Sequence, residues 1–153
     1  MTAVIQRVNN AKIYTDGEFN GEISKGLYIL LGVNKEDSEL DARLLAEKIS
    51  KLRIFSDENG KMNLSVLDIS GDAMIVSNFT LNANYSHGNR PDYFASAEPK
   101  LAENLYDYFV SLIKEKIKNT ATGKFGSDMR TEMSTDGPVT IVMDSNVLKG
   151  GRK

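Results

Sequence analysis

The spacing of apolar and polar residues changes several times along the chain, and each change predicts a different element. Ala3 to Val8 and Ala11 to Thr15 alternate with a period of two, which predicts strands. Asp16-Gly17 and Asn20-Gly21 have the composition of hairpin turns. Gly26 to Val33 is a continuous apolar run, typical of a central buried strand. The first part of the chain is therefore predicted to be β structure.

Two later segments change to helical spacing. Ser38 is a candidate N-cap with Asp41 three residues on, a weaker relative of the capping box. The apolar stripe of this helix consists of Leu40, Leu44, Leu45, Ile49 and Leu52. Pro99 lies in the first turn of the second helix, where its missing N–H costs nothing. The buried face there consists of Leu101, Leu105, Tyr108, Phe109, Leu112, Ile113 and Ile117.

The remaining apolar runs predict short strands. They are Arg53–Phe55, Leu64–Leu67, Asp72–Phe79, and two strands flanking a Gly-Pro turn, near Ser127–Thr135 and Val139–Asp144. Asn82 to Ala97 and Thr120 to Gly126 are predicted loops. Roughly seven or eight strands with two amphipathic helices predict an α+β fold, with a strongly curved, mostly antiparallel, barrel-like sheet. Residues 1–153 lack repeats and linkers, which predicts a single domain.

Composition removes several kinds of chemistry. The chain has no cysteine and one histidine, His87, so disulfides, thiolate nucleophiles and Cys- or His-cluster metal sites are excluded. His87 lies in a polar loop, where a surface position is expected. Neither a P-loop nor a dinucleotide-binding glycine pattern occurs. We therefore expect no metal and no cofactor.

Charge and hydropathy narrow the location and the partners. The longest apolar run is far short of the roughly 20 residues that a membrane span needs, and the N-terminus lacks a signal-peptide core. A cytoplasmic protein without a membrane partner is expected. The net charge of −2 argues against nonspecific coating of nucleic acid, although a local cluster could still bind one RNA end. The basic Lys149–Lys153 segment is interpreted as a solvated tail.

Two short motifs carry the candidate chemistry. Ser77-Asn78-Phe79-Thr80-Leu81 follows one apolar run, and Ser134 to Thr140, with Gly137-Pro138 inside it, enters another. Both therefore lie at strand ends, where a hydroxyl-bearing stretch and a rigid turn can present backbone N–H and C=O groups to a ligand. Residue types alone also allow a simpler interpretation, in which Phe79 is a core residue and Gly137-Pro138 an ordinary turn.

Acids and bases are scarce around these motifs. Ser77 and Thr80 have no evident general base nearby in the sequence. Carboxylate pairs such as Asp41 with Glu47 are expected on solvated helix faces. An enzyme built on these motifs would act by positioning and backbone hydrogen bonds rather than by proton transfer.

The two motifs resemble the signature pair of the D-aminoacyl-tRNA deacylases, S-Q-x-T-L and N-x-G-P-x-T. Other segments are similar to that family in the same order: Val4–Val8, Gly26–Val33, Lys51–Phe55, Gly60–Asn63, Gly88–Pro91 and Gly123–Met129. The resemblance covers essentially the whole chain, so it outweighs the simpler interpretation of each motif.

The resemblance implies a homodimer with active sites at the subunit interface and the aminoacyl-tRNA 3′ end as partner. Ser77 to Leu81 of one subunit would line the pocket, and Gly137-Pro138, a cis peptide in the family, would enter from the other. Its carbonyls would meet the substrate α-ammonium and leave no space for an L side chain, so chirality would be read by exclusion. Arg7 would support the Gly-Pro loop from behind.

The implied reaction is hydrolysis of the ester between a D-amino acid and tRNA. Backbone N–H groups of Phe79 and Thr80 would bind the ester carbonyl and the terminal ribose, and Phe125 and Met129 would wall the terminal adenosine. Glycine has no side chain to exclude, so glycyl-tRNA, including glycine mischarged on tRNA(Ala), is an expected second substrate. Thr80 is either a nucleophile or, as favoured here, a positioning residue assisted by the ribose 2′-hydroxyl.

Two positions depart from the family pattern. Asn78 replaces the usual Gln and is one methylene shorter, so its amide contacts must shift. Thr135 replaces the usual Asn and resembles a related deacylase group with a trans Gly-Pro bond and relaxed chiral selection. Ser77, Phe79 and Val139 match the D-specific group. Two rival functions therefore remain: an editing deacylase of relaxed chirality and a non-catalytic tRNA-end binding module.

Overall fold

A computed structural model of the chain describes residues 1–150, which form eight β-strands, three α-helices and one 3₁₀ helix. The strands are β1 Thr2–Thr15, β2 Glu18–Ile23, β3 Gly26–Gly32, β4 Phe55–Ser56, β5 Met62–Leu64, β6 Asp72–Ser77, β7 Thr120–Thr122 and β8 Met129–Asp144. The helices are α1 Glu39–Ser50, the 3₁₀ helix Phe79–Asn82, α2 Pro99–Lys114 and α3 Ser145–Lys149.

Strand β1 is shared by three neighbours. β8 pairs with it from Thr2 to Thr15, along one whole edge. The other edge is divided, because β3 pairs with Thr2–Val8 and β2 with Ala11–Thr15. The two strands predicted for this segment are therefore one continuous strand, which bends where its partner changes.

The sheet curls until its two ends meet. Its order is β2-β1-β3-β6-β7, with β8 added on β1. β3, β6 and β7 run parallel to one another, whereas β1 pairs antiparallel with β2, β3 and β8. The Asn20 side-chain amide donates to the Thr122 carbonyl over 2.7 Å and ties β2 to β7. The predicted α+β fold with a curved sheet is confirmed, and the structure adds a parallel portion.

Alternating residues of the central strands fill two apolar clusters. Leu27, Ile29 and Leu31 face α1 and α2, where Phe109 and Ile113 are fully buried. Tyr28 points to the opposite face and joins the smaller cluster inside the curl. Both faces of β3 are thus covered, which explains its uninterrupted apolar sequence.

The Gly-Pro turn does not separate two strands, as the sequence had suggested. β8 continues through it, but the pairing shifts from Gln6↔Thr140 to Val8↔Thr135. Residues 136–139 therefore face Arg7 alone and leave the ladder as a small loop. A strand can accommodate proline in this way because the bulged residues need not donate to the partner strand.

Three other local predictions were wrong. Leu64–Leu67 is largely a turn, because the Asp68 carboxylate accepts from the Ser65 N–H over 2.8 Å and closes the chain back on itself. Thr120–Thr122 is strand β7 rather than loop, since its pairing with β6 outweighs a weak local pattern. The short helix α3 was not foreseen, although the Asp144 side chain caps it by accepting from the Asn146 N–H over 2.9 Å. Residues 151–153 of the expected tail lie outside the described residues.

Asp41 is fully buried, contrary to the expectation of a solvated helix face. Its carboxylate accepts from the Ser145 hydroxyl at 2.6 Å and pairs with Lys149 Nζ at 2.6 Å. The Ser145 hydroxyl also accepts from the Met1 ammonium at 2.8 Å, which pairs with Asp37 at 2.5 Å. Helix periodicity predicted the face of α1 correctly but could not show that the chain's two ends meet there.

The pKa of Asp41 shows that the cluster favours its charged form. Burial opposes ionisation, but hydrogen bonds from Lys149, Ser145 and Ser38 outweigh it and hold the pKa well below its usual value of 3.8. Because the folded-state pKa is depressed, the stabilisation is present above the unfolded-state pKa and is lost as the pH falls towards the folded-state value.

We expect Asp41→Asn to lower the free energy of unfolding by about 2–3 kcal/mol at pH 7, the value of a hydrogen bond to a charged group. The deficit should shrink as the pH falls below 4, where the wild type also loses this contribution. Urea unfolding at several pH values measures it. Glu39→Gln on the same helix is the control, and it should cost less than about 0.5 kcal/mol because Glu39 forms an exposed pair with Arg43. A similar cost for both variants would contradict this account.

Candidate active site

A cavity of about 580 Å³ opens at the C-terminal ends of the parallel strands β3 and β6. Its lining consists of Leu31, Val33, Ser77, Asn78, Phe79, Ser96, Ala97, Pro99, Ala102, Tyr106, Phe125, Gly126, Ser127, Asp128 and Met129. Ser77 ends β6, and the Asn78 N–H donates to the Leu31 carbonyl over 2.8 Å. The first motif therefore enters the cavity because parallel pairing with β3 stops there.

Five of the predicted site residues meet in this cavity: Ser77, Asn78, Phe79, Phe125 and Met129. Thr80 follows directly in the 3₁₀ helix and is exposed. Phe79 is 59% exposed, so the simpler interpretation of it as a core residue is wrong. The backbone of the first motif and the side chains before β8 thus form one concave surface.

The Asn78 side chain caps the 3₁₀ helix. Its Oδ1 accepts from the Thr80 N–H at 3.2 Å and also from the Thr80 hydroxyl. An amide oxygen is not a base at neutral pH, so this partner orients the hydroxyl without activating it. The Thr80 N–H, expected to meet substrate, already has an internal acceptor. Phe79 provides the first N–H of the helix, for which the helix itself offers no acceptor.

A second set of contacts holds the 3₁₀ helix in place. The buried Asn82 side-chain amide donates to the Val33 carbonyl at 2.8 Å and to the Ser96 hydroxyl at 3.4 Å. Ser96 in turn donates to the Phe79 carbonyl at 3.4 Å. The Phe79 ring packs edge-on against Tyr93, with 4.9 Å between the centroids. The first N–H of the motif is therefore held at a fixed place beside the cavity.

The Gly-Pro loop lies elsewhere in the same chain. Gly137 and Pro138 are exposed and do not line the cavity, and the peptide bond between them is cis. Gly137 has φ +127°, and a Cβ there would lie 2.8 Å from the Val139 nitrogen. An alanine would therefore require the loop to move.

Arg7 braces this loop from β1. Its Nε lies 3.0 Å from the Asp136 carboxylate and donates to the Asp136 carbonyl at 3.3 Å. Its Nη1 donates to the Ile54 carbonyl at 2.7 Å. The guanidinium is buried, so these three acceptors replace its lost hydration. Arg7 contacts the loop from behind and does not line the cavity with Ser77.

Two residues of the cavity were missed by the motif search. Tyr106, interpreted as a core residue, lines the cavity and donates to the Ile75 carbonyl at 2.9 Å. Burial, with a smaller contribution from Asp107, raises the pKa of Tyr106, so its hydroxyl stays protonated. Asp128 supplies the only carboxylate in the lining and is exposed. Its place beside Met129 was the available signal.

The remaining chemistry matches the sparse sequence pattern. His87 is exposed, bonds only to its neighbour Ser86 at 2.8 Å and does not line the cavity. Within residues 1–150, three or more His, Cys, Asp or Glu side chains never meet in an arrangement suited to a metal ion. Across the same residues, each helix is too short or too polar to cross a membrane.

Comparison with known proteins now decides the family. The family model described as D-Tyr-tRNA(Tyr) deacylase matches residues 4–144. The chain belongs to that family. A D-aminoacyl-tRNA deacylase of Thermosipho africanus (strain TCF52B) is 52% identical over 145 residues, which are 95% of this chain and 97% of the relative. A D-aminoacyl-tRNA deacylase of Clostridium botulinum (strain 657 / Type Ba4) is 50% identical, with the same two coverages.

Solved structures agree on the fold of this family member. The structure of a protein named c-Myc DNA Unwinding Element Binding Protein superposes with a TM-score of 0.89 at 35% identity, covering 94% of this chain and 98% of that one. A probable eukaryotic D-amino acid tRNA deacylase superposes with a TM-score of 0.81 at 12% identity, covering 94% and 99%. The predicted family, fold and enzyme class, an ester hydrolase of the D-aminoacyl-tRNA deacylase type, are confirmed.

We expect Asp128→Asn to retain most of the deacylase activity, because the site works by positioning and Asp128 is exposed at its rim. A general base contributes about 10²–10⁴-fold to a rate. The measurement is kcat on D-aminoacyl-tRNA for this variant, with Glu132→Gln, a nearby exposed carboxylate outside the cavity, as control. A loss of about 10²-fold or more confined to Asp128→Asn would assign Asp128 as the base instead.

Proposed function

We propose that the protein hydrolyses the ester joining a D-amino acid to the 3′ end of tRNA, with the cavity holding the terminal adenosine and the aminoacyl group. The observation that carries this proposal is the free first N–H of the 3₁₀ helix, at Phe79, beside a mostly apolar cavity. A helix start stabilises negative charge, such as that developing on an ester carbonyl during attack.

The adenosine would lie between Phe125 and Met129. The Phe125 ring is tilted against Tyr106 with 6.0 Å between the centroids, and both rings line the same cavity as Met129. Aromatic and thioether side chains are suited to the face of a nucleobase. The base would thus be recognised by shape and stacking, while the ester extends towards Ser77.

Thr80 would act as a positioning residue rather than a nucleophile. Its hydroxyl donates to the amide oxygen of Asn78, which leaves its lone pairs to accept from the substrate. The ribose 2′-hydroxyl next to the ester is a suitable donor, and a water held beside it could attack the carbonyl. No ionisable side chain is then needed to take a proton from Thr80.

The Gly-Pro loop would complete the cavity of a second copy of the chain. β8 has only β1 as a strand partner among the described residues, so its other edge is unpaired along the strand. Val142 on this strand is 71% exposed, and Gly137-Pro138 protrudes from it. Exposed β8 edges and apolar groups favour pairing of two copies, which is isologous in a two-fold dimer.

Chirality would be read by exclusion in that completed site. Carbonyl groups of the loop would bind the α-ammonium, and the backbone around Gly137 would occupy the volume that an L side chain needs. Glycine would pass this test because it has no side chain. Glycyl-tRNA, including glycine mischarged on tRNA(Ala), would therefore be a second substrate.

Two other functions keep one observation each. Thr135, exposed beside the Gly-Pro loop, matches the deacylases of relaxed chirality that the second motif also resembles. The structural relative at 35% identity is named as a DNA unwinding element binding protein, which supports a non-catalytic nucleic-acid binding module. Turnover and its dependence on chirality separate both from the main proposal.

The decisive measurement compares hydrolysis of D-Tyr-tRNA, L-Tyr-tRNA and Gly-tRNA by the purified protein in the presence of a chelator. We expect rapid loss of the D and glycyl esters and survival of the L ester at its spontaneous rate, since only the L side chain meets the loop. Loss of all three would assign relaxed chirality. Survival of all three alongside measurable tRNA binding would assign a binding module.

Subunit mixing tests the shared site. Phe125→Ala removes a wall of the cavity, and Gly137→Val displaces the loop, so each variant alone should be nearly inactive. In a random mixture about half of the dimers contain both variants and one intact site each, so roughly a quarter of the wild-type activity should return. Light scattering checks that each variant is dimeric. Failure of dimeric variants to complement would place both elements in the same subunit's site.

A further inference from the structure

A second cavity lies on the other side of the 3₁₀ helix. Its volume is about 510 Å³, and its lining consists of Thr2, Asn34, Leu81, Asn82, Ala83, Asn84, Tyr85, Ser86, Ala95 and Asp144. The 3₁₀ helix separates the two cavities, because Phe79 at its start lines the first, and Leu81 and Asn82 at its end line the second. At roughly 2 Å per residue, the two ends of this helix are only about 6 Å apart along its axis.

The chemistry of the second cavity differs from that of the first. Its lining is largely polar, with Asn34 and Asp144 contributed by opposite walls. Among residues 1–150 the Asn34 side-chain amide takes part in no hydrogen bond, and Asp144 uses one oxygen, Oδ1, for the cap of α3. A free amide and a free carboxylate oxygen together offer a donor and two acceptors, which is suited to the edge of a nucleobase.

Tyr85 provides a stacking surface at this cavity. Its side chain is 80% exposed, and its ring has no aromatic partner among the described residues. The segment is held at the adjacent Asn84, which exchanges both backbone hydrogen bonds with Asp92 at 2.8 and 2.9 Å. An exposed ring on a braced backbone stacks well on unpaired bases, since little order is lost on binding.

We propose that the second cavity binds the cytidine that precedes the terminal adenosine of tRNA. This rests on the proposed function, because the first cavity must hold the adenosine. Tyr85 stacks on the cytosine, Asp144 accepts from its N4 amino group, and Asn34 donates to its N3 or O2. Uracil presents an acceptor in place of the N4 amino group, so the carboxylate disfavours it. The chain thus recognises the end of tRNA by two nucleotides.

Three substrates carrying D-tyrosine test the proposal: adenosine alone, an RNA minihelix ending in CCA, and the same minihelix ending in CUA. Loss of one stacked base costs about tenfold or more in affinity. We expect Tyr85→Ala to raise KM about tenfold for the CCA minihelix and to leave D-tyrosyl-adenosine unchanged. Tyr85→Phe should retain the wild-type KM, because the ring remains. Phe94→Ala is the matched control, since Phe94 is 84% exposed on the same loop but lines neither cavity.

Base specificity provides the second readout. The wild type should prefer the CCA over the CUA minihelix by about tenfold. Asp144→Asn should reduce that preference while retaining the helix cap, because asparagine caps helices as well as aspartate does. Equal KM changes for adenosine and minihelix, an equal effect of Phe94→Ala, equal use of CCA and CUA, or loss of the dimer in Tyr85→Ala would each overturn the proposal.

Failure of the proposed function is recognised separately. If the wild type hydrolyses none of the three esters, the fluorescence anisotropy of labelled, uncharged CCA and CUA minihelices measures binding alone. Tighter binding of CCA that Tyr85→Ala abolishes would support the cytidine site in a protein without this activity. Equal binding of the two minihelices would overturn it.

Discussion

The pairing of β1 with β8 is the constraint on which the rest of the structure depends. This ladder runs the full length of β1, and a single shift in it places residues 136–139 opposite Arg7 alone. The extra residues can leave the sheet only because a buried guanidinium takes the place of the missing ladder contacts, at Asp136 and Ile54. A β-bulge of this kind turns an otherwise regular strand into a support for a rigid projecting loop.

Parallel pairing of β3 with β6 performs the corresponding task for the first motif. The two strands end together, and the chain then turns into a 3₁₀ helix rather than continuing the sheet. Asn78 and Ser96 fix that turn from its two sides. Both motifs are thus backbone features held by neighbouring polar side chains. This agrees with the small number of ionisable groups near them.

Much of the fold could be predicted from spacing alone. The helix starts at Ser38 and Pro99 and the apolar run of β3 are local signals, and the structure matches them within a residue or two. Strand β7 and the burial of Asp41 were missed, because both depend on partners far away in sequence. Continuity of β8 through Gly137-Pro138 was missed for the same reason. Proline argues locally for an interruption, and only Arg7, from β1, shows how the strand continues.

For the site, residue types indicated which segments carry the chemistry but not how they are arranged. The hydroxyl and aromatic residues from Ser77 to Thr80 meet Phe125 and Met129, a grouping that the family resemblance implied and periodicity could not supply. Asp128, Tyr106 and the amide-rich second cavity had no sequence signal of their own. Cavities form between elements, so their lining is a property of packing rather than of any single segment.

The short side chain of Asn78 has a consequence for how tightly ligands are held. Because its oxygen already accepts from the Thr80 N–H, a ligand that uses this amide exchanges one hydrogen bond for another. Such an exchange contributes little net affinity, in the same way that a bond to protein replaces one to water. Residence time would then depend on the nucleoside end of the ligand. A spent amino acid, having no such anchor, would leave quickly and free the site for the next tRNA.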